Sequence, residues 1–274
     1  MRPYTQNTEH IVRPHDPRIR SLQRLREDRD RAKSGLYLAE GVRFISRALE
    51  FGARFETIIL APDLAELPLA HRLARQINES GTKLYTVSAD VFYSLTVASE
   101  PQGIAAVIRQ NILPLSAVDT QKGLCWIALE GVKNPGNLGT TLRSSEAVGA
   151  AGLILIDAVT DPYHPTCVRS SMGSLFSQSI VRTTTRQLAD WKKKNGVTLV
   201  GTSPAGDYDY REAPLTRPSI LLMGSERSGM TSGAQSLCDY TVRIPMAGVT
   251  DSLNLGVAAS ILLYEVMRRN DNHI

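Results

Sequence analysis

The stretch "LCWIALEGVKNPGNLGTTLRSSEAVGAAGLILID", residues 124–157, sets the reading of the second half of the chain. It opens on a continuous apolar run, Leu124 to Leu129, and ends on another, Leu153 to Ile156. Between them lie a turn, Asn134-Pro135-Gly136, and a segment with helical spacing. Runs that are apolar without alternation read as strands buried on both faces, and a helix between two of them predicts a parallel sheet. The turn is not a P-loop, because GxxxxGK[ST] is absent, nor a dinucleotide fingerprint, because GxGxxG is absent. Asn137 is a candidate N-cap for the helix. Leu138, Leu142, Ser145 and Gly149 share one face. Arg143 lies about 140° from Leu138 and points away from that face. Taken alone, it reads as half of a surface ion pair with Glu146 at i,i+3.

The strand–helix alternation continues outward from this unit. Strands are predicted at 178–183, 197–203, 219–224 and 240–246, and helices or turns at 164–176 and 186–195. A final helix covers about 253 to 269. Ligands in such sheets bind at loops after the carboxyl ends of strands. Three loops qualify: the one after 130, "GSERSGM" after Met223, and "IPMAGVTDSLN" from Ile244 to Asn254. In the second, Gly224 allows close approach to the backbone, and Glu226 supplies a carboxylate at a strand end. In the third, Ser252 and Asn254 stand where a helix cap would. Residues 255–264, "LGVAASILLY", are apolar nearly all round. A helix of this kind is covered on both sides, and the second side suits another subunit.

The first hundred residues alternate strand and helix on their own. Strands are read at 36–41, 57–60, 83–87 and 103–108, and helices at 42–52 and 69–81. The expected organisation is a flexible basic tail over 1–16, an N-terminal α/β domain over 17–108, a linker over 109–123 and a second, larger α/β domain over 124–274. Residues 13–33 carry eight basic and four acidic side chains, a local excess equal to the +4 of the whole chain. Such clustering is an electrostatic footprint for a polyanion. A solvated helix face with internal pairs, Arg24 with Asp28 and Arg26 with Asp30, is the bland alternative.

Composition narrows the function class. The chain has 274 residues, 42% hydrophobic and 21% charged, which fits a globular protein with a substantial core. It contains no apolar run long enough for a membrane span. Its N-terminus has no signal-peptide core. Three scattered cysteines with no CxxC argue against disulfides and zinc and point to a reducing cytosol. No metal and no membrane partner is expected.

In order and spacing, NPGNLGxxxR, GSE after a strand and IPMxGxxxSLN before an apolar helix resemble the three motifs of the SpoU/TrmH-type RNA ribose methyltransferases of the SPOUT superfamily. "VRSSMGSLFS" (168–177) is similar to the segment that family places between its first two motifs. "LYLAEGVRFISRAL" (36–49) resembles the ribosomal-protein-like (L30e-like) RNA-binding domain often fused ahead of the catalytic one. "CDYTVRIPMAG" (238–248) and the overall layout resemble the avilamycin- and thiostrepton-resistance rRNA methyltransferases.

The resemblance implies a C-terminal trefoil-knot α/β domain, a homodimer and a cytoplasmic enzyme. The implied activity is transfer of a methyl group from S-adenosyl-L-methionine to a ribose 2′-hydroxyl, in 23S rRNA. It also implies a catalytic set of Arg143, Asn137, Glu226, Ser252 and Asn254. Cofactor contacts would come from Thr202, Ser203, Gly224, Ile244, Met246 and Leu253. RNA contacts are expected from Arg18, Arg20, Arg24, Arg26, Arg29, Arg31, Lys33 and Arg169. Two other readings stay open: a noncatalytic RNA-binding protein of ribosome assembly, and an enzyme acting on tRNA ribose. "SLNLGVA" departs from the family's common SLNVS, a change expected to alter packing near the cofactor.

Overall fold

The computed structural model describes residues 7–157, 159–215 and 219–270. The chain forms two compact units. The first holds residues up to Gln110 together with Tyr163–Phe176. The second holds Asn111–Pro162 and Ser177 onward.

In the first unit the chain runs β1 (Thr8–Ile11), α1 (Pro17–Gln23), α2 (Asp28–Ser34), β2 (Leu36–Glu40), α3 (Val42–Glu50), β3 (Phe55–Leu60), α4 (Pro68–Glu79), β4 (Lys83–Val87), α5 (Ala89–Leu95) and β5 (Ile104–Arg109). The strands form one mixed sheet in the order β1-β4-β3-β5-β2, with β5 antiparallel to both neighbours. The expected tail is therefore not loose along its whole length. Thr8–Ile11 pairs in parallel with β4 and buries Ile11, while residues 1–6 lie outside the described residues. A four-residue strand with one buried side chain leaves little periodicity to read, which is why sequence reasoning missed it. Helix α5, capped by Ser88, was missed as well.

The basic segment resolves into two kinds of side chain. Arg31 is fully buried and donates to the carbonyls of Leu25 and Arg26 and to Asp28. Those bonds close the turn between α1 and α2, so Arg31 is structural and cannot reach RNA; this corrects its assignment as an RNA contact. Arg18 pairs with Asp16, the cap of α1, and with Glu9. That pairing holds the Asp16 carboxyl down at about 2. Arg26 donates to the carbonyls of Ser94 and Thr96 at 2.9 Å and ends α5. Neither i,i+4 pair forms among the described residues: Asp28 is taken by Arg31, and Arg26 is turned to the carbonyls of Ser94 and Thr96.

The second unit starts with β6 (Trp126–Glu130), α6 (Pro135–Ala147) and β7 (Gly152–Ile156). The chain next contributes α7 (Pro165–Ser170) to the first unit, then returns. It continues through β8 (Ser179–Thr183), α8 (Thr185–Asn195), β9 (Thr198–Thr202), β10 (Tyr208–Asp209), β11 (Ser219–Met223), α9 (Ser232–Gln235), β12 (Tyr240–Arg243) and α10 (Leu255–Asn270). All seven strands are parallel, in the order β10-β12-β9-β11-β6-β7-β8. This is the expected helix-flanked parallel sheet, and β6 and β7 are buried at every position. From β6 the chain moves outward through β7 to β8, then reaches β11 on the other side by way of β9. The switch point of the sheet thus lies between β6 and β11, where the crevice of an open α/β sheet opens.

Helix α10 packs on α6 through small residues. A Cβ on Gly256 would lie 2.8 Å from Thr140 Cγ2, so the glycine that departs from the family pattern has a packing reason here. Ser260 donates to the Gly256 carbonyl at 2.7 Å, which leaves Ser144 to donate to Ser260 Oγ at 2.6 Å. Among the described residues only one side of α10 is covered. Leu255, Ala259, Leu262, Leu263 and Val266 are buried, while Val257 and Tyr264 stay about half exposed. Among the described residues no helix is long and apolar enough to cross a membrane.

Candidate active site

Four adjacent parallel strands, β12, β9, β11 and β6, bring their carboxyl ends to one edge. Every loop singled out in the sequence leaves from that edge. The first needs one correction. Pro135 is the first residue of α6, and Asn134, not Asn137, is its cap. The Asn134 side chain accepts from the backbone N–H groups of Gly136 at 2.7 Å and Asn137 at 3.2 Å. The signal was present, since proline favours the first helical position and the residue before it is then the cap. Asn137 sits inside the first turn with its carboxamide free for another use.

That carboxamide joins three loops. Asn137 Nδ2 donates to Glu226 Oε1 at 2.9 Å, and Asn254 Nδ2 donates to Asn137 Oδ1 at 2.8 Å. The direction of the relay is forced from both ends. A carboxylate only accepts, so Asn137 must turn its NH₂ to Glu226. Asn254 Oδ1 accepts from Gly256 N at 2.9 Å and so caps α10, which leaves its NH₂ for Asn137. Asn254 is thus both a helix cap and a member of the site. Asn137 is only 8% exposed, and both halves of its amide are satisfied.

Glu226 is held as an anion. Its partial burial opposes ionisation, but bonds from the Asn137 amide and the backbone N–H groups of Lys133 and Asn134 outweigh it. The carboxyl therefore lies below its ordinary range. The loop carrying it is closed on itself: Ser225 N donates to the Gly229 carbonyl and Gly229 N to the Ser225 carbonyl, each at 3.0 Å. Gly224 is required by that closure. A Cβ there would sit 2.0 Å from the backbone of Gly229 and Met230, so the close approach is made by the protein's own loop. Glu130, at the end of β6, anchors the same region by accepting from Thr231 N at 2.8 Å and Thr231 Oγ1 at 2.6 Å. Nothing in its sequence context marked Glu130, which reads as the polar end of a strand.

The structure brings Asn137, Glu226 and Asn254 together. It does not bond Arg143 or Ser252 to them. Arg143 is exposed and makes no hydrogen bond or ion pair among the described residues. Glu146 accepts from Ser177 at 3.0 Å, so the expected surface pair with Arg143 is not formed. Arg143 flanks the seam where Thr140 and Ser144 meet α10. Ser252 is exposed and reaches only Asp251, at 3.3 Å. Thr202 ends β9, and Ser203 N donates to the Val242 carbonyl at 3.0 Å, tying that end to β12. Ile244 is half-buried, and Met246 and Leu253 keep more than a third of their surface exposed. Among the described residues no group of three or more His, Cys, Asp or Glu could hold a metal ion.

Comparison with known proteins places this arrangement. Residues 125–264 match the SpoU rRNA Methylase family, and residues 16–106 match the MRM3-like substrate binding domain. The chain is 34% identical to the 23S rRNA (uridine(2479)-2′-O)-methyltransferase of Streptomyces viridochromogenes, over 94% of this chain and 92% of that protein. It is 28% identical to the 23S rRNA (guanosine(2553)-2′-O)-methyltransferase RlmP of Bacillus subtilis, over 91% of this chain and 95% of that one. Among solved structures, an AdoMet-bound rRNA methyltransferase from Sinorhizobium meliloti superposes with a TM-score of 0.89 at 31% identity, covering 96% of this chain and 98% of that one. The similarity spans both units, and the three loops joined by the asparagine relay fall within the matched region. The chain belongs to the SpoU rRNA methylase family.

Proposed function

We propose that the protein is an RNA methyltransferase that uses S-adenosylmethionine to methylate a ribose 2′-hydroxyl of 23S rRNA. The observation that carries this reading is the Asn254–Asn137–Glu226 relay, which locks the three family loops together at the switch point of the sheet. Two relatives that align over nearly the whole chain are named as 23S rRNA 2′-O-methyltransferases, which supports rRNA over tRNA.

The residues at the sheet edge fit the cofactor. The strand-end loops carry the partly exposed apolar side chains of Ile244, Met246 and Leu253 together with backbone groups at Thr202, Ser203 and Gly224, a mix of the kind that holds an adenosine. When bound, S-adenosylmethionine supplies an electrophilic methyl group on a sulfonium. This chain must place the 2′-oxygen in line with that methyl and stabilise the oxygen as its proton leaves. Arg143, charged and unpaired, is the group for the second task, holding the developing alkoxide or the adjacent phosphate. Glu226 and Asn137 do not touch the acceptor in this reading; they set the pitch of α6, and with it the position of Arg143. Ser252 orients the nucleotide. Incubating the protein with 23S rRNA and methyl-labelled cofactor tests the function: one 2′-O-methyl mark is expected, and no transfer to any RNA would refute it.

Residues 17–108, joined by Tyr163–Phe176, serve as the RNA-binding domain, and the rest of 124–274 as the catalytic one. Arg20, Arg24, Arg29 and Lys33, exposed and without an ion pair among the described residues, are the phosphate contacts. Replacing one of them by Ala is expected to weaken rRNA binding and lower the slope of log K against log salt by about 1. Arg31→Ala should instead cost stability, about 2–4 kcal/mol, by leaving buried carbonyls unpaired around a cavity. Filter binding across salt concentrations, with thermal melting, separates the two classes.

The enzyme functions as a homodimer, with Val257, Ile261 and Tyr264 of α10 covered by a second copy. These positions are spaced i, i+4, i+7 on one face, which is the stripe a helix presents to a partner. Val257→Asp is expected to give a monomer in sedimentation; an unchanged dimer would place the interface elsewhere.

A further inference from the structure

The first unit contains a cavity of about 190 Å³ that the methyl-transfer site does not use. Its walls are apolar, with Leu38, Phe44, Leu95, Val97 and Val168 among them, and its rim is polar. All of its lining belongs to the first unit, including Val168 and Arg169, which α7 contributes from between the two halves of the catalytic sheet's sequence. We propose that this cavity takes one unpaired nucleobase of the substrate RNA, which is a recognition site separate from the methylated ribose. The inference rests on the reading of the protein as an RNA methyltransferase.

Three features select a base over another occupant. First, the rim is prepared for hydrogen bonding at an edge. Gln102 Oε1 accepts from Val42 N at 2.9 Å, which fixes the carboxamide and leaves its NH₂ as a positioned donor. Glu100, exposed on the same rim, supplies an acceptor. A donor and an acceptor above apolar walls match the polar edge and π-faces of a base. Second, the other carboxylate is already used. Glu40 accepts from the Thr96 hydroxyl and from Val97 N, so it holds the loop over the cavity in shape and adds little free negative charge. Third, the rim is joined to cations that suit a phosphate backbone. Arg169 lines it and has no partner among the described residues, Arg26 lines it as well while donating to the Ser94 and Thr96 carbonyls, and the exposed Arg20 and Arg24 stand just before Arg26 in the chain. Phe44 gives a stacking surface at the wall.

The test uses full-length protein and in vitro transcribed 23S rRNA carrying 4-thiouridine. Ultraviolet crosslinking of the unaltered protein should attach nucleotides to peptides spanning Val97–Gln102 or Pro165–Arg169. Val97→Asp and Arg169→Ala, both at exposed positions, should each weaken rRNA binding about tenfold. Cofactor binding by calorimetry and the melting temperature should stay at wild-type values. Crosslinks confined to other peptides, with both variants binding as wild type while rRNA is still methylated, would overturn the cavity assignment alone. A wild-type protein that neither binds nor methylates rRNA would overturn the enzymatic reading and this inference with it.

Discussion

Arg143→Ala is expected to lower the rate of methyl transfer by about 10²–10³-fold, the range seen when one donor to a developing oxyanion is removed. The melting temperature should not move. The side chain is exposed and makes no bond among the described residues, so its loss leaves no buried group unpaired. Cofactor affinity should also be unchanged, because none of the strand-end groups that fit the cofactor depends on the guanidinium. Arg143→Lys should recover only part of the rate, since an ammonium lacks the planar fork that spans two oxygens. Single-turnover transfer from labelled cofactor, with thermal melting of the same samples, reads both quantities. Full activity in the alanine variant would remove Arg143 from the chemistry and leave the relay to carry it.

Asn137→Asp should reverse the pH dependence of stability. In the wild type, Glu226 has a folded-state pKa below its ordinary value. Its contribution is present above the unfolded carboxyl pKa and is lost as pH falls through the folded value. In the variant, a second carboxyl stands where Asn137 Nδ2 lies 2.9 Å from Glu226. Two carboxylates so placed cannot both ionise freely, so the folded pKa of one rises. A carboxyl raised in this way contributes stability below its unfolded pKa and loses it as pH rises through the folded one. The variant should therefore melt close to wild type near pH 4 and well below it at pH 7.5, by about 2 kcal/mol. That figure combines the broken relay bonds with a repulsion weakened by the exposure of Glu226. Asn137→Ala should lie below wild type by an offset that is steady near neutral pH and narrows as pH falls, because Glu226 has lost the amide donor that lowers its pKa. Thermal melting from pH 4 to 8 distinguishes the three curves; parallel curves for wild type and Asn137→Asp would show that the relay does not bear on stability. Activity should fall in both variants, because the pitch of α6 is no longer tied to Glu226.

Much of the second unit was legible before the fold was known. The runs at 124–129, 152–156 and 219–223 are apolar without alternation, and a strand buried on both faces has no other pattern available to it. The helices between them end at glycines such as Gly196, which adopts a left-handed φ of 61°. The short elements were not legible. Thr8–Ile11 and Tyr208–Asp209 hold four and two residues and pair with strands distant in sequence, and Ser232–Gln235 is a single turn capped by Thr231, too short to show a period.

Individual residues divide in the same way. Asn137, Glu226 and Asn254 were marked by motif and spacing, but the motif could not say that they bond to one another. Gly224 was read as leaving room for a ligand, whereas the space beside it is filled by Gly229 and Met230. Arg31 was read with its basic neighbours, yet it is the one drawn inside to hold a turn. Composition counts a guanidinium equally whether it faces water or a carbonyl.

By itself, the sequence determined the class of fold, the family and the three strand-end loops that the candidate site is built from. These follow from local quantities, namely the period of apolar side chains, turn residues and motif spacing. Only the tertiary structure decided that Asn137, Glu226 and Asn254 meet, which way the amide relay runs and which arginines remain free. It alone placed Arg169 from α7 on the same cavity as Arg26 and Gln102. The relay and the fixing of Arg26 depend on groups separated by tens to more than a hundred residues, and such a hydrogen bond selects its partner by position in space.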